Sequence, residues 1–122
     1  IGDPASVPAG QYAQEVLTNL RIWDEVLAKS SLGTNVTEVL NWVAEGSAQA
    51  GIVYATDAAT TDKVRVIAQA PVGSLAEPAI YPAGLVASSA HQEEARAFLD
   101  FLQSDEAMAV FAEYGFTSHA DA

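Results

Sequence analysis

The sequence contains no cysteine and only five lysine and arginine residues among 122. Without cysteine, neither a disulfide framework nor a thiolate metal site can form. Sixteen aspartate and glutamate residues give a formal net charge of -11, and so few basic residues form no patch, so we expect no nucleic-acid partner. No segment is long and apolar enough to span a bilayer. The first residues include neither an initiator Met nor a targeting segment, so we expect a processed or excised product.

Half of the residues are hydrophobic and 17% are charged, which predicts one packed core. Apolar residues with helical periodicity predict helices over about 9–20, 22–28, 36–45, 95–103 and 105–114. Pro8 suits a first helical turn because its nitrogen carries no hydrogen. Asn35 followed by Glu38 is typical of a capping box, and Gly46 and Gly115 are typical helix ends.

Three segments predict strands. Residues 50–55 form an apolar run of strand length, residues 64–68 alternate in polarity, and residues 79–87 are a third candidate near Pro82. A helix, a glycine and a buried strand in succession favour the α/β class.

Catalytic and metal-binding patterns are weak in this chain. Nucleophilic catalysis has little support, since cysteine and a G-x-S-x-G turn are both absent, and we expect no enzyme activity. His91 precedes two glutamates where a helix begins, a position better explained by the helix dipole than by a metal. Asp57 and Asp62 flank a polar loop that could bind a cation, although solvated carboxylates are the favoured interpretation.

The more unusual feature is a pair of predicted helix starts, at Ala9 and at Val36. A helix start carries amides without intrahelical partners and a partial positive charge, so it can bind an anion without Lys or Arg. The small residues Ala9 and Gly10 would let an anion approach the backbone. Tyr54 ends the predicted buried strand, where α/β sheets usually present ligand-binding groups, and its phenol can donate a hydrogen bond.

Four segments resemble the molybdate-binding protein of ABC transporters. They are Ile1-Gly2-Asp3-Pro4-Ala5-Ser6-Val7-Pro8-Ala9-Gly10-Gln11-Tyr12-Ala13, Asn35-Val36-Thr37-Glu38-Val39-Leu40, Gly51-Ile52-Val53-Tyr54 with Asp57 after it, and Glu113-Tyr114-Gly115-Phe116. The resemblance extends from the first residue to Phe116. It implies a type II periplasmic-binding-protein fold, in which two α/β lobes close around a ligand.

The resemblance also implies a ligand and its contacts. Molybdate or tungstate would be held by the backbone N–H groups of Ala9 and Val36 and by the hydroxyl of Tyr54, without a further cofactor. Neutral donors suit a protein of this net charge, because fixed dipoles in a dry cleft bind a dianion without a counter-charge. The implied role is an extracytoplasmic receptor, periplasmic or lipid-anchored, that delivers its ion to an ABC transporter permease.

The chain is about half as long as a complete member of that family. Residues 1–79 would form a second-lobe segment carrying the anion contacts, and residues 80–122 would form a crossing strand and helices that normally pack on a first lobe. Phe98, Leu102, Phe111 and Phe116 should then expose apolar surface. We expect the chain to dimerise, to swap these helices or to associate with the first lobe, and to bind molybdate by itself weakly or not at all.

Two alternatives to a transport receptor stay open. The same fold serves in oxyanion-sensing regulatory domains, although no basic DNA-binding module is visible in this chain. The chain could also be an assembly module whose binding residues are idle.

Overall fold

The computed structural model describes residues 1–119, which form two compact units, Ile1–Glu77 and a second beginning at Pro78. The described residues contain six helices: α1 (Pro8–Asn19), α2 (Trp23–Leu27), α3 (Val36–Ala44), α4 (Ala55–Ala58), α5 (Gln92–Leu102) and α6 (Asp105–Glu113). Five of them confirm the helices predicted from apolar periodicity, and the short α4 was not predicted.

Local sequence signals mark the helix ends as expected. Pro8 is the first residue of α1, and the side-chain oxygen of Asn35 accepts a hydrogen bond from the Glu38 amide at 2.8 Å. Only this half of the predicted capping box forms, because the Glu38 carboxylate accepts from the Thr34 amide and not from the Asn35 amide. Gly46 and Gly115 follow α3 and α6 with φ angles of 79° and 84°, in the left-handed region that glycine adopts without steric cost. Ser104, which the sequence analysis missed, caps α6 by accepting from the Ala107 amide at 3.2 Å.

The three predicted strands are wrong for this structure. Residues 50–54, 64–68 and 79–86 have no regular secondary structure, and residues 87–88 form a turn. A strand exists only where a neighbouring chain segment accepts and donates its backbone hydrogen bonds, and these segments have no such neighbour among residues 1–119. Val66 and Ile67 are correspondingly 55% and 79% exposed. The α/β class is therefore not confirmed in the described residues.

One short parallel pairing does form, and it was not predicted. Residues 1–3 run beside residues 31–33, and Gly2 and Gly33 form a parallel bridge. The Ile1 nitrogen donates to the Ser31 oxygen at 3.0 Å, the Gly33 amide to the Ile1 oxygen at 2.8 Å, and the Asp3 amide to the Gly33 oxygen at 2.9 Å. This evenly spaced pattern is that of a parallel ladder. It joins the segment before α1 to the segment before α3.

The core of the first unit centres on Val39 in α3, whose side chain is 1% exposed. A Cβ atom added at Gly33 or at Gly51 would lie 3.0 Å from a methyl group of Val39. Both glycines therefore let the backbone at positions 33 and 51 pack directly on α3. The other buried apolar side chains of the unit are Ile1, Val7, Ala9, Ala13, Leu17 and Leu40.

The second unit contains α5 and α6 and buries little. Ala107 is buried, whereas Phe98 is 60% exposed, as expected for a helix face without cover. The expectation of exposure is wrong for Leu102, Phe111 and Phe116, which are half-buried. The Phe116 ring packs edge to face on Phe111 and on Tyr81, with centroids 5.9 Å and 5.6 Å apart. The C-terminal segment thus covers part of its own apolar surface.

None of the helices within residues 1–119 is long and apolar enough to cross a membrane.

Candidate anion-binding site

The entry into α1 is a tight turn made by the first residues of the chain. The Asp3 carboxylate accepts a hydrogen bond from the Ala5 amide at 2.9 Å, and the Asp3 carbonyl accepts from the Ser6 and Val7 amides at 3.1 and 2.8 Å. Aspartate favours such turns because its side chain bonds the backbone two residues on. Pro8 then starts the helix with its φ already suited to it. The turn fixes the direction in which α1 begins.

The amide of Ala9 is the open donor of this helix start. A helix leaves its first amides without intrahelical acceptors. Here the Val7 amide is bonded to Asp3, Pro8 has no N–H, and the Gly10 amide donates to the Val7 carbonyl at 2.9 Å. Among the hydrogen bonds of residues 1–119, none involves the Ala9 amide. Ala9 is buried, with 5% exposure.

Gly10 serves packing rather than ligand access. A Cβ atom at this position would overlap the Gly2 carbonyl oxygen and would lie 2.6 Å from the Gly2 carbonyl carbon. The space that the sequence analysis assigned to an approaching anion is therefore filled by the backbone of Gly2. Glycine is required here because the segment before α1 folds back against the first turn of α1.

The start of α3 offers a second pair of amides. Val36 is the first residue of this helix and is half-buried, and Thr37 follows it. Within residues 1–119, no hydrogen bond involves either of their amides. The Glu38 carboxylate turns back to the preceding loop, where it accepts from the Thr34 amide at 2.7 Å and from the Thr34 hydroxyl at 3.0 Å. These bonds fix the loop from which α3 starts.

Gly2 and Gly33 connect the two helix starts. Gly2 lies against the first turn of α1, since a Cβ atom there would be 3.1 Å from the Gly10 nitrogen. Gly2 is also bridged to Gly33, which lies two residues before the N-cap Asn35. Neighbouring strands are about 4.8 Å apart, so two paired backbones of this kind keep the two helix starts in one region of the first unit.

Tyr54 reaches α1 through an aromatic contact. It is not at the end of a strand, as predicted, but is the N-cap of α4. Its amide donates to the Asp57 carboxylate at 3.3 Å, and its carbonyl accepts from the Asp57 amide at 3.1 Å. Its ring lies edge to face with Tyr12 of α1, with centroids 6.3 Å apart and planes at 66°. Gly2 and Gly33 thus connect the helix starts at Ala9 and Val36, and Tyr12 connects α1 to Tyr54.

Carboxylates are distributed unevenly over the helix starts. Among the six helices of residues 1–119, α1 alone has no acidic residue in its first turn, whereas α5 has Glu93 and Glu94 and α6 has Asp105 and Glu106. An acidic first turn neutralises the positive end of the helix dipole and repels an anion. In a chain of net charge -11, the start of α1 is therefore electrostatically the most favourable of the described helix starts for an anion.

Asp57 carries the altered carboxyl pKa of this region. Partial burial raises the pKa of Asp57 above its ordinary value, and the hydrogen bond from the Tyr54 amide opposes that shift. Burial disfavours the charged form because the carboxylate loses hydration. The Asp57 carboxylate accepts a hydrogen bond from the Tyr54 amide, so Asp57 orients the residue that carries the candidate phenol.

The other polar residues weighed from sequence do not assemble a metal site in the described part of the chain, where no group of three or more His, Asp or Glu is placed to hold an ion. Asp62 is exposed. His91 is the N-cap of α5 and lies 3.9 Å from Glu94, which agrees with its interpretation as a helix-start residue.

The class of this protein follows from its similarity to known proteins. Residues 1–117 match the family of bacterial extracellular solute-binding proteins, and the chain belongs to that family. The similar sequences include YvgL of Bacillus subtilis, assigned as an ABC transporter substrate-binding lipoprotein, which is 46% identical. They also include the molybdate-binding protein ModA of Haemophilus influenzae, 42% identical, and that of Escherichia coli, 37% identical. The resemblance to molybdate-binding proteins of ABC transporters is thus confirmed.

The match is nearly complete for this chain and partial for its relatives. It covers 97% of this chain and 45% of YvgL, and 97% of this chain and 46% of the Haemophilus protein. For the Escherichia protein the shares are 96% and 45%. A solved substrate-binding domain assigned to a molybdenum ABC transporter of Clostridium difficile superposes with a TM-score of 0.76 at 37% identity, over 96% of this chain and 51% of that one. The chain therefore spans about half the length of these relatives and shares the fold of that half.

Proposed function

We propose that this chain forms half of the oxyanion site of an extracytoplasmic solute-binding protein that serves an ABC transporter, and that the ion is molybdate or tungstate. The Ala9 and Val36 amides and the Tyr54 hydroxyl are the proposed donors. The role is binding and delivery rather than catalysis. The partners would be the ion, a membrane permease, and either a first lobe or a second copy of the chain.

The observation that carries this proposal is the open amide of Ala9, a buried residue at the one described helix start without an acidic residue in its first turn. A second helix start with open amides is tied to it through Gly2 and Gly33. Aligned amides carry partial positive charge and point out of a helix start, which suits a tetrahedral dianion. The names of the Haemophilus and Escherichia relatives make molybdate the first ion to test.

Neutral donors also provide a basis for selectivity. A site made only of N–H and O–H donors favours an ion whose oxygens are all acceptors. Phosphate is partly protonated near neutral pH and would present a donor to these donors, which leaves one of them unpaired at a cost of about 1–3 kcal/mol. Membership of an extracellular family favours a transport receptor over the regulatory domain considered from sequence.

The exposed apolar surface of the second unit favours a covering partner. Phe98, Phe101, Val110 and Tyr114 are between 47% and 60% exposed. Burying apolar surface contributes about 25 cal/mol per Å², so several such side chains favour association by several kcal/mol. We propose that a first lobe or a second copy of the chain covers them.

The decisive test of the ion site is a molybdate titration of the chain and of two variants at Val36. Val36→Pro removes the proposed donor and suits the backbone, because Pro is favoured at the first helical position and Asn35 before it is already extended at φ -160° and ψ 167°. Val36→Ala is the matched control, since it trims the side chain and keeps the amide.

Binding is followed by amide chemical shifts in 15N-labelled protein, up to tens of millimolar molybdate, with sulfate at equal ionic strength as the reference ion. We expect weak, saturable molybdate shifts in wild type and in Val36→Ala, and a loss of at least about tenfold in affinity in Val36→Pro, since a hydrogen bond to a charged group contributes about 1.5–3 kcal/mol. Equal binding by all three proteins would refute the role of the Val36 amide. The absence of saturable shifts in wild type would refute the claim that these donors bind the ion without a first lobe.

A further inference from the structure

Tyr12 is a residue that neither the helix-start argument nor the family resemblance assigned to the site. It lies in the second turn of α1 and is half-buried. It is three positions after Ala9, and residues three apart lie on the same side of a helix about 4.5 Å apart along the axis. Side chains on a helix also lean toward its N-terminus. Tyr12 therefore lies on the same side of α1 as Ala9, about one turn after it.

The ring of Tyr54 packs on the ring of Tyr12, with centroids 6.3 Å apart and planes at 66°. Edge-to-face geometry aligns the positive edge of one ring with the negative face of the other, so it restrains direction as well as distance. The Asp57 carboxylate independently fixes the backbone of Tyr54. Tyr54 is thus held at its backbone by Asp57 and at its ring by Tyr12.

We propose that Tyr12 is a positioning residue that sets the direction of the Tyr54 hydroxyl over the start of α1, so that the phenol and the Ala9 amide bind the same anion. This inference rests on the proposed function and deepens it by one residue. Tyr12 acts through the face and edge of its ring, and its own hydroxyl is not required.

The test compares Tyr12→Phe with Tyr12→Leu. Tyr12→Phe keeps the ring and removes only the hydroxyl, so we expect molybdate affinity within about twofold of wild type. Tyr12→Leu fills a similar space without an aromatic face, and we expect an affinity about three- to tenfold lower, the range that corresponds to an aromatic pair. Amide shifts at Ala9 and Val36 report the affinity of each protein.

A second background separates positioning from a general structural effect. In Tyr54→Phe, whose phenol is gone, Tyr12→Leu should change molybdate affinity by less than about twofold, because Tyr12 then has no hydroxyl to direct. In addition, 13C labels on the tyrosine rings should show a molybdate-dependent shift at Tyr54 in wild type and in Tyr12→Phe, and a much smaller one in Tyr12→Leu.

Three outcomes would overturn the inference. If Tyr12→Leu binds like wild type, Tyr12 does not position the phenol. If Tyr12→Leu loses as much affinity with Phe at position 54 as with Tyr, its effect passes through the fold. If wild type shows no molybdate-dependent shift at Ala9 and Val36, these donors do not bind the ion in this chain and the role of Tyr12 fails with them. The first two results leave the proposed function standing.

Discussion

Gly10→Ala is the substitution for which helix propensity and packing predict opposite changes in the free energy of unfolding. Alanine is favoured over glycine within a helix by up to about 1 kcal/mol, so propensity alone predicts a more stable protein. The structure predicts the reverse, because the new methyl group would overlap the Gly2 carbonyl oxygen and lie 2.8 Å from the Asp3 carbonyl carbon. These are backbone atoms that are held by the pairing with Gly33 and cannot rotate away.

Forcing a methyl group into such a contact costs about 1–3 kcal/mol. Set against the propensity gain, the expected net loss is up to about 2 kcal/mol, or a fall in melting temperature of up to about 10 °C for a domain of this size. Thr18→Ala is the matched control, because Thr18 is exposed on the same helix and its replacement should stabilise slightly. Thermal unfolding followed by circular dichroism measures both variants. A melting temperature that rises in Gly10→Ala would show that Gly2 does not pack on the start of α1, and the connection between the two helix starts would be lost.

Three further perturbations test the core, the charge and the exposed surface. Val39→Ala should lower the free energy of unfolding by about 1.5–3 kcal/mol, measured with urea, since Val39 is fully buried between Gly33 and Gly51; a loss below about 0.5 kcal/mol would contradict that placement. Burial raises the pKa of Asp57, so the charged carboxylate destabilises the folded protein. This destabilisation is absent below the ordinary pKa of aspartate and complete above the raised pKa. Asp57→Asn keeps an acceptor for the Tyr54 amide, so its free energy of unfolding should rise relative to wild type as the pH rises from the ordinary to the raised pKa. A difference in unfolding free energy that is constant with pH would contradict a destabilising charge at Asp57. Sedimentation should show self-association of the wild-type chain and less of it in Phe98→Ser; a monodisperse wild-type monomer would refute self-association.

The helices could be predicted from sequence because their determinants are local. Asn35, Gly46 and Gly115 act within one or two turns of the residues they affect, and the structure places them as expected. Strands depend on a partner, and a sequence pattern does not show whether one is present. Residues 50–55 and 64–68 have strand composition and no partner among the described residues. The pairing that does form joins Gly2 to Gly33, which lie in short segments without the apolar run or the alternation that predicts a strand.

The proposed donors were selected from sequence, whereas the contacts that connect them were not. Helix-start chemistry selected Ala9 and Val36 from local sequence, and the family resemblance agreed with that selection. The roles of Gly2, Gly10 and Gly33 depend on contacts between segments up to about thirty residues apart, so they appear only in the structure. The available signal was Gly2 and Gly33 in the segments before two predicted helices, and Gly10 in the first turn of one of them. The contact of Tyr12 with Tyr54 had no sequence signal, since α4 and the turn before it were not predicted.

The central claim is that the starts of α1 and α3 bind one anion together. A single amide shift map of the 15N-labelled chain with molybdate tests it directly, because the starts of α5 and α6 serve as internal controls: each has two acidic residues in its first turn, whereas α3 has one and α1 has none. We predict that the Ala9 and Val36 amides shift with one common apparent dissociation constant for molybdate. The first amides of α5 and α6 should shift no more with molybdate than they do with sulfate. Separate constants for Ala9 and Val36, or equal shifts at all four helix starts, would contradict a shared site.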